Sequence, residues 1–180
     1  MTDVPFRGVV LDWRGTLVRT LTDDEWLAAA LDRLGRPVPR PEVDRLVGVL
    51  NGLREALDAP GTDTCAERQR DTYARAFRGA GMDDDLAAAL YAVESDLAHN
   101  PYAEDAAPTL EALHRGGLRV AVLSDIHVNI RPSLAGAGLA HFVDVVRLSF
   151  ETGLQKPAPP GVPRHAGRVG HRASGDPDGR

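Results

Sequence analysis

Three side chains, far apart in the sequence, have the chemical types needed to act on a small phosphate-sized group. Asp12 could serve as a nucleophile or a metal ligand, Ser124 could hydrogen-bond a substrate oxygen, and Lys156 could neutralise charge that develops in the transition state. Lys156 is the only lysine of the chain. An aspartate or serine at the end of a strand is often only a turn-former or a helix cap. The order and spacing of the three residues are more specific than any one of them.

A turn directly after Asp12 could hold the same group. It contains Gly15 and Thr16, and such a turn can direct backbone N–H groups at an anion beside the carboxylate. Arg14, in the same turn, has a guanidinium that can bind an anion through two hydrogen bonds. We therefore expect Arg14, Gly15 and Thr16 to contribute to substrate or phosphate binding.

Three short apolar runs predict the strands of a parallel sheet in an α/β fold. They cover residues 7–11, 118–123 and 142–148. Helices are predicted over residues 105–114 and 129–135, and the order strand, helix, strand favours a right-handed parallel unit. Because ligands bind beyond the carboxyl ends of such strands, the three candidate side chains should meet at one edge of the sheet.

An all-helical unit is predicted between the first and second apolar runs. Its four helical patterns begin at Asp, Thr or Pro and are separated by Gly or Pro. The patterns cover residues 23–34, 41–57, 64–78 and 83–98. Trp26, Leu27, Leu31 and Leu34 lie on one face at helical spacing, which indicates a core position for them.

Composition and charge exclude several classes of partner. The formal net charge is −5 and no dense basic run is present, so nucleic acid is not an expected ligand. A single cysteine, Cys65, cannot form an internal disulfide, which favours the reducing cytoplasm. The first residues lack the features of a signal peptide, and no segment has the length of a membrane span. We expect a small anionic substrate and no membrane partner; the patterns indicate no oligomeric state.

The sequence resembles the haloacid dehalogenase-like hydrolases. The resemblance covers roughly residues 7–157, and it implies a Rossmann-like core formed by residues 1–20 and 99–157 with an inserted helical cap at residues 21–98. Three segments are similar to the first three motifs of the family: Asp12-x-x-Gly15-Thr16, Leu123-Ser124-Asp125 and Leu154-Gln155-Lys156-Pro157.

The resemblance also implies a chemistry. It implies hydrolysis of a small organophosphate through an aspartyl intermediate on Asp12, with Ser124 and Lys156 orienting the transferred group. Phosphatases of the family also hold Mg²⁺, through the carboxylate that corresponds to Asp12, the main-chain carbonyl that corresponds to Arg14, and an acid in a fourth motif. Mg²⁺ is therefore the cofactor that the resemblance implies.

Arg14 departs from the phosphatase pattern, which has an aspartate there as general acid and base. Arginine cannot exchange a proton near neutral pH. Arg14 could bind an anionic substrate, or catalysis is impaired and the chain is an inactive remnant or an anion-binding module, or Arg14 is a simple surface arginine. Dehalogenases of the family also lack this aspartate and need no metal, so a metal-independent 2-haloacid dehalogenase is a further alternative.

The fourth motif is not found, and residues 158–180 follow the third. They consist almost entirely of Gly, Pro, Arg, His, Ala, Ser and Asp, a composition that predicts disorder. One hypothesis is a truncated or frame-shifted chain, because permitted codons for residues 160–180, read one nucleotide later, can encode a helix and a strand. The sheet would then lack cover on one flank, which predicts poor solubility.

Two further residues lie near the expected edge of the sheet. His127 could touch the substrate, although a lone loop histidine more often has a structural role. Asp125 could bind a metal or orient Lys156, and a capping role is as frequent for such a residue.

Overall fold

The structure, a computed structural model, describes residues 6–157. Its sheet contains three parallel strands in the order β1 (Gly8–Leu11), β2 (Arg119–Ser124) and β3 (Val145–Leu148). Gly8 lies so close to β2 that an added Cβ would stand 2.8 Å from the carbonyl oxygen of Arg119. The predicted α/β architecture with a parallel sheet is confirmed. The predictions for residues 158–180 lie outside the described residues.

Seven α-helices accompany the sheet within the described part of the chain. They are α1 (Asp23–Leu34), α2 (Arg40–Leu57), α3 (Ala66–Gly79), α4 (Asp84–Ser95), α5 (Ala106–Arg115), α6 (Arg131–Gly136) and α7 (Ser149–Thr152). The first four follow one another without an intervening strand and form a helical unit. No helix among residues 6–157 has the length and apolar character needed to cross a membrane.

Local sequence explains where the helices of this unit begin. The side chain of Thr22 accepts a hydrogen bond from the N–H of Glu25, whose carboxylate accepts one from the N–H of Thr22 at 2.9 Å. Asp83 caps α4 by accepting the N–H of Leu86 at 2.9 Å. These caps satisfy backbone donors that the first turn of a helix leaves without partners.

The described residues form two hydrophobic cores. One lies among α1 to α4 and the other beneath the sheet, against α5 and α6. The first includes Trp26, Leu27, Leu50, Phe77 and Leu90, and the second includes Trp13, Leu110, Val122, Leu134 and Leu148. Trp26, Leu27 and Leu31 are buried in the first core, as their spacing indicated, and Leu34 packs against this core while only partly buried.

The opposite face of the sheet is open within the described residues. Val10 pairs with Ala121 and Ala121 with Val145, so these residues share one face, together with Leu123. Val10 is 66% exposed, Val145 44% and Leu123 40%. Parallel sheets are normally covered on both faces, so an apolar surface left open by residues 6–157 is unusual in an α/β fold.

Two predicted elements are shorter in the structure. The strand predicted over residues 142–148 starts only at Val145, because Ala140–Phe142 form a 3₁₀ turn in which the N–H of Val143 donates to the carbonyl of Ala140 at 3.3 Å. The helix predicted to continue to residue 98 ends at Ser95. There the side chain of Asp96 accepts the N–H of Ala98 at 2.9 Å and starts a 3₁₀ turn.

The helical unit leaves and rejoins the sheet core at paired segments. Val18 and Tyr102 form an antiparallel bridge. The N–H of Arg19 donates to the carbonyl of Pro101 at 2.8 Å, and the N–H of Ala103 donates to the carbonyl of Leu17 at 3.0 Å. The two chain crossings therefore lie side by side.

Candidate active site

Asp12 stands at the carboxyl end of β1 with its carboxylate half-exposed. Its Oδ1 accepts the N–H of Trp13 at 2.7 Å. Trp13 is fully buried and meets Tyr102 edge to face, with ring centroids 5.5 Å apart. Gly15 adopts φ of 72°, a left-handed conformation that glycine accepts without strain. A buried anchor and a tight turn thus fix the loop on either side of the carboxylate.

The backbone N–H groups of this turn already have partners. The N–H of Gly15 donates to the carbonyl of Val18 at 2.8 Å, and the N–H of Thr16 donates to the carbonyl of Trp13 at 3.3 Å. The side chain of Thr16 is exposed. An anion bound beside Asp12 would have to compete for these two N–H groups, although the longer one is weakly held.

Lys156 reaches the same edge of the sheet. Its Nζ donates to Oδ2 of Asp12 at 2.8 Å and to the carbonyl of Leu123 at 3.1 Å. Its backbone N–H donates to the carboxylate of Asp125 at 3.0 and 3.1 Å. Asp125 therefore holds the lysine backbone, and burial raises the pKa of its carboxyl above the ordinary value.

Ser124 ends β2, beside the Leu123 carbonyl that accepts the lysine. It pairs in register with Leu148 and is buried. Within residues 6–157 no hydrogen bond engages its hydroxyl. The structure thus brings Asp12 and Lys156 into contact and places Ser124 on the adjoining strand end.

Arg14 points away from the carboxylate and toward the helical unit. Its guanidinium pairs with the carboxylate of Glu94, donates to the Glu94 carbonyl at 2.8 Å, and donates to Oδ1 of Asn100 at 3.1 Å. Burial would lower the pKa of Arg14, but the adjacent Glu94 carboxylate raises it above its ordinary value. The side chain is a fixed cation that ties the loop after β1 to α4.

His127 lies at a contact between the sheet core and the helical unit. Its Nε2 is 2.9 Å from Oγ of Ser95, and its Nδ1 is 3.9 Å from a carboxylate oxygen of Asp63. Burial, together with the charge of Arg14, lowers the pKa of His127 to about 4, so the ring is neutral at pH 7. Burial raises the pKa of Asp63 to about 6.

Two further hydrogen bonds join the same surfaces. Oγ of Ser149 donates to the carbonyl of Asp63 at 2.6 Å, and Oε1 of Gln155 accepts the N–H of Gly61 at 2.7 Å. No sequence motif marks Asp63, Ser95 or Glu94. The only available signal was the Gly61-centred break between two predicted helices.

A cavity of about 270 Å³ lies on the helical side of Arg14. Its charged lining comes from Arg14, Asp23, Arg54, Asp58 and Glu94. The cavity therefore begins at the loop that carries Asp12 and extends among the helices.

A family model described as a haloacid dehalogenase-like hydrolase matches residues 6–171 of the chain. Curated protein sequences gave no significant match.

Several solved structures have the same fold. The YfnB protein from Bacillus subtilis, in a structure bound to magnesium, has a TM-score of 0.59 and 17% identity, over 84% of this chain and 67% of that chain. A dehalogenase structure has a TM-score of 0.53 and 20% identity, over 87% and 68%. The 2-haloacid dehalogenase from Pseudomonas syringae pv. tomato DC3000 has a TM-score of 0.50 and 22% identity, over 85% and 68%. The chain thus spans about two thirds of the length of these proteins.

Proposed function

The chain belongs to the haloacid dehalogenase-like hydrolase family, and from this we propose that it acts on small organophosphates through an aspartyl intermediate on Asp12. The observation that carries the proposal is the 2.8 Å contact between Nζ of Lys156 and the half-exposed carboxylate of Asp12. An ammonium at this distance can reduce the repulsion between a carboxylate nucleophile and an anionic substrate. In the proposal, Ser124, Gly15 and Thr16 contact the phosphate.

The reaction has two halves. In the first, a carboxylate oxygen of Asp12 forms a bond to phosphorus, the bond from phosphorus to the ester oxygen breaks, and the leaving oxygen takes a proton from solvent water. In the second, water attacks the phosphorus and gives a proton to solvent, the bond from phosphorus to Asp12 breaks, and inorganic phosphate leaves. Arg14 cannot take that proton, because its guanidinium stays charged and is bound to Glu94. We therefore expect the second half to be slow and the intermediate to accumulate.

We further propose that residues 1–20 and 99–157 act as the catalytic core and residues 21–98 as a cap. Contacts across this division support the proposal, including Arg14 with Glu94 and Ser149 with the carbonyl of Asp63. These bonds hold the helices beside the edge of the sheet that carries Asp12. The cap would then determine which molecules reach the carboxylate.

The described residues do not make a complete magnesium site. Asp12 and the carbonyl of Arg14 could supply two ligands, but both carboxylate oxygens of Asp12 already accept hydrogen bonds. Residues 6–157 contain no cluster of three or more His, Cys, Asp or Glu side chains that could hold a metal ion. No step of the proposed reaction is therefore assigned to Mg²⁺, and the experiment below is done with and without this ion.

A second candidate function is metal-independent dehalogenation of a 2-haloacid. The pairing of Arg14 with Glu94 favours it, because a halide leaves without needing a proton and so does not require an acid at that position. Asp12 would displace the halide and form an ester, which water would then cleave. An inactive chain that keeps an anion pocket is the third alternative.

Mass spectrometry of the chain after reaction distinguishes these candidates. We expect incubation with an aryl phosphate, with and without Mg²⁺, to add one phosphoryl group to the peptide that contains Asp12. Incubation with a 2-haloacid would instead add an alkyl ester and release halide. Asp12→Asn should prevent either adduct. Failure of both substrates to modify Asp12 in a folded sample would reject the hydrolase proposal.

A further inference from the structure

The cavity beside Arg14 has an unbalanced set of charges. Arg14 is paired with Glu94, and Nη2 of Arg54 donates to Oδ1 of Asp23 at 2.7 Å. Asp58 also lines the cavity, and no cation among residues 6–157 pairs with it. Two cations therefore face three carboxylates, which leaves the lining with an excess of negative charge.

Asp23 carries a buried oxygen without a partner. The residue is 9% exposed, and its Oδ2 accepts no hydrogen bond from the described residues. Burying a carboxylate oxygen is costly unless a donor meets it, so most such atoms in folded proteins are hydrogen-bonded. Asp23 lines the cavity, so a small rotation of its carboxylate about the Cβ–Cγ bond would present Oδ2 to a donor bound there. A positively charged donor would also balance the excess charge.

The rest of the wall suits an organic stem. Trp26, Leu50, Leu57 and Val93 line the cavity and are buried. The indole N–H of Trp26 already donates to the carbonyl of Leu90 at 2.9 Å, so the ring offers mainly apolar surface. Aromatic faces also attract cations.

We propose that this cavity binds the ammonium group of an amine-bearing organic molecule, with Asp23 as the acceptor. The cavity adjoins the loop that carries the reactive carboxylate, because Arg14 lines it and lies two residues after Asp12. An aminoalkyl phosphate could therefore place its amine in the cavity and its phosphate at Asp12. This last step rests on the proposed function.

Calorimetry with simple amines tests the cavity without any catalysis. We expect a linear alkylamine to bind saturably. Its affinity should be at least about tenfold higher than that of the alcohol of equal length, because a charged donor forms a stronger hydrogen bond to a buried acceptor. Asp23→Asn should remove this preference. The matched control is Asp24→Asn, which changes an exposed carboxylate in the same helical turn and should keep the preference. Equal binding of amine and alcohol to the unmodified chain would overturn the proposal, whatever the stability of the variants.

Phosphonates test whether the cavity and Asp12 bind one substrate together. Their P–C bond is not hydrolysed as the P–O bond of a phosphate ester is. We expect ω-aminoalkyl phosphonates of one favoured chain length to bind more tightly than both the alkylamine and the alkyl phosphonate of that length. Amine binding without any gain from the phosphonate would reject the shared-substrate step and weaken the proposed function, while the cavity assignment would stand. Loss of amine selectivity at every chain length would reject the cavity assignment even if Asp12 proves reactive.

Discussion

Nζ of Lys156 lies 2.8 Å from Oδ2 of Asp12, although the two residues are 144 positions apart in the chain. The contact forms because β1 and β2 are adjacent parallel strands and the segment after β3 folds back over their carboxyl ends. It places the only lysine of the protein against the proposed nucleophile.

Replacing this lysine should remove adduct formation. Lys156→Met leaves the Asp12 carboxylate without its cation, so we expect the rate of phosphoryl transfer to Asp12 to fall by about 100-fold or more. Arg147→Met, which removes an exposed cation from β3, should leave the rate unchanged. Single-turnover kinetics with an aryl phosphate measure both, and similar rates for Lys156→Met and the unmodified chain would contradict the assigned role.

The bond between Arg14 and Glu94 should contribute strongly to stability. Both side chains are largely buried, at 25% and 18% exposure, so removing one charge leaves the other uncompensated. We expect Glu94→Gln to lower the free energy of unfolding by about 3 kcal/mol. The double variant Arg14→Met with Glu94→Gln should lose less than the sum of the single changes.

Urea denaturation measures these differences. Glu111→Gln is the matched control, because Glu111 is exposed and its nearest cation, Arg115, is 3.8 Å away. It should change the free energy of unfolding by less than about 0.5 kcal/mol. An additive double variant would show that Arg14 and Glu94 are not coupled in solution.

His127 and Asp63 should give opposite dependences of stability on pH. The pKa of His127 is about 4 in the folded state, below its ordinary value of 6.5. Between these two pH values only the unfolded state binds a proton at His127, so stability falls as the pH is lowered. The pKa of Asp63 is about 6 in the folded state, above its ordinary value of 3.8. Between these two pH values only the folded state binds a proton at Asp63, so stability rises as the pH is lowered.

The two effects should nearly cancel in the unmodified chain between pH of about 4 and about 6. Each slope is at most about 1.4 kcal/mol per pH unit. Relative to the unmodified chain, Asp63→Asn should lose stability more steeply as the pH falls, and His127→Gln less steeply. Denaturation curves across this range measure the slopes, and equal slopes for the two variants would contradict the burial of both groups. Other charged groups that face Asp63 are Arg14, Asp58, Glu94 and Asp125.

Gln69 should be replaceable by an apolar residue with a gain in stability. It is fully buried in α3, and neither Oε1 nor Nε2 has a hydrogen-bond partner within residues 6–157. Removing a buried amide without partners while keeping similar volume should raise the free energy of unfolding by about 1–2 kcal/mol. We expect Gln69→Leu to show this gain by thermal or urea denaturation and Gln69→Asn, which keeps the amide, to show none.

The strands and the residues at their carboxyl ends could be predicted from the sequence. Apolar runs that end at Asp12 and Ser124 predict strands, and the general behaviour of parallel sheets then predicts that their ends share an edge. The position of Lys156 beside Asp12 follows from that reasoning. None of these steps requires knowledge of how the helices pack.

The partners of Arg14 and His127 could not be predicted in the same way. Glu94 is 80 residues from Arg14, and Ser95 is 32 residues from His127. Both lie at the end of α4, whose position depends on packing throughout the helical unit. A guanidinium near a carboxylate nucleophile suggested anion binding, whereas the nearest anion belongs to the protein itself.

The bridge between Val18 and Tyr102 holds the start and the end of the helical insertion side by side. The two chain crossings are hydrogen-bonded to each other, and no residue between them takes part in the pairing of the three strands. Under the proposed function, reactivity belongs to one side of this junction and selectivity to the other, so a change among the helices could alter selectivity while Asp12 and Lys156 stay in place.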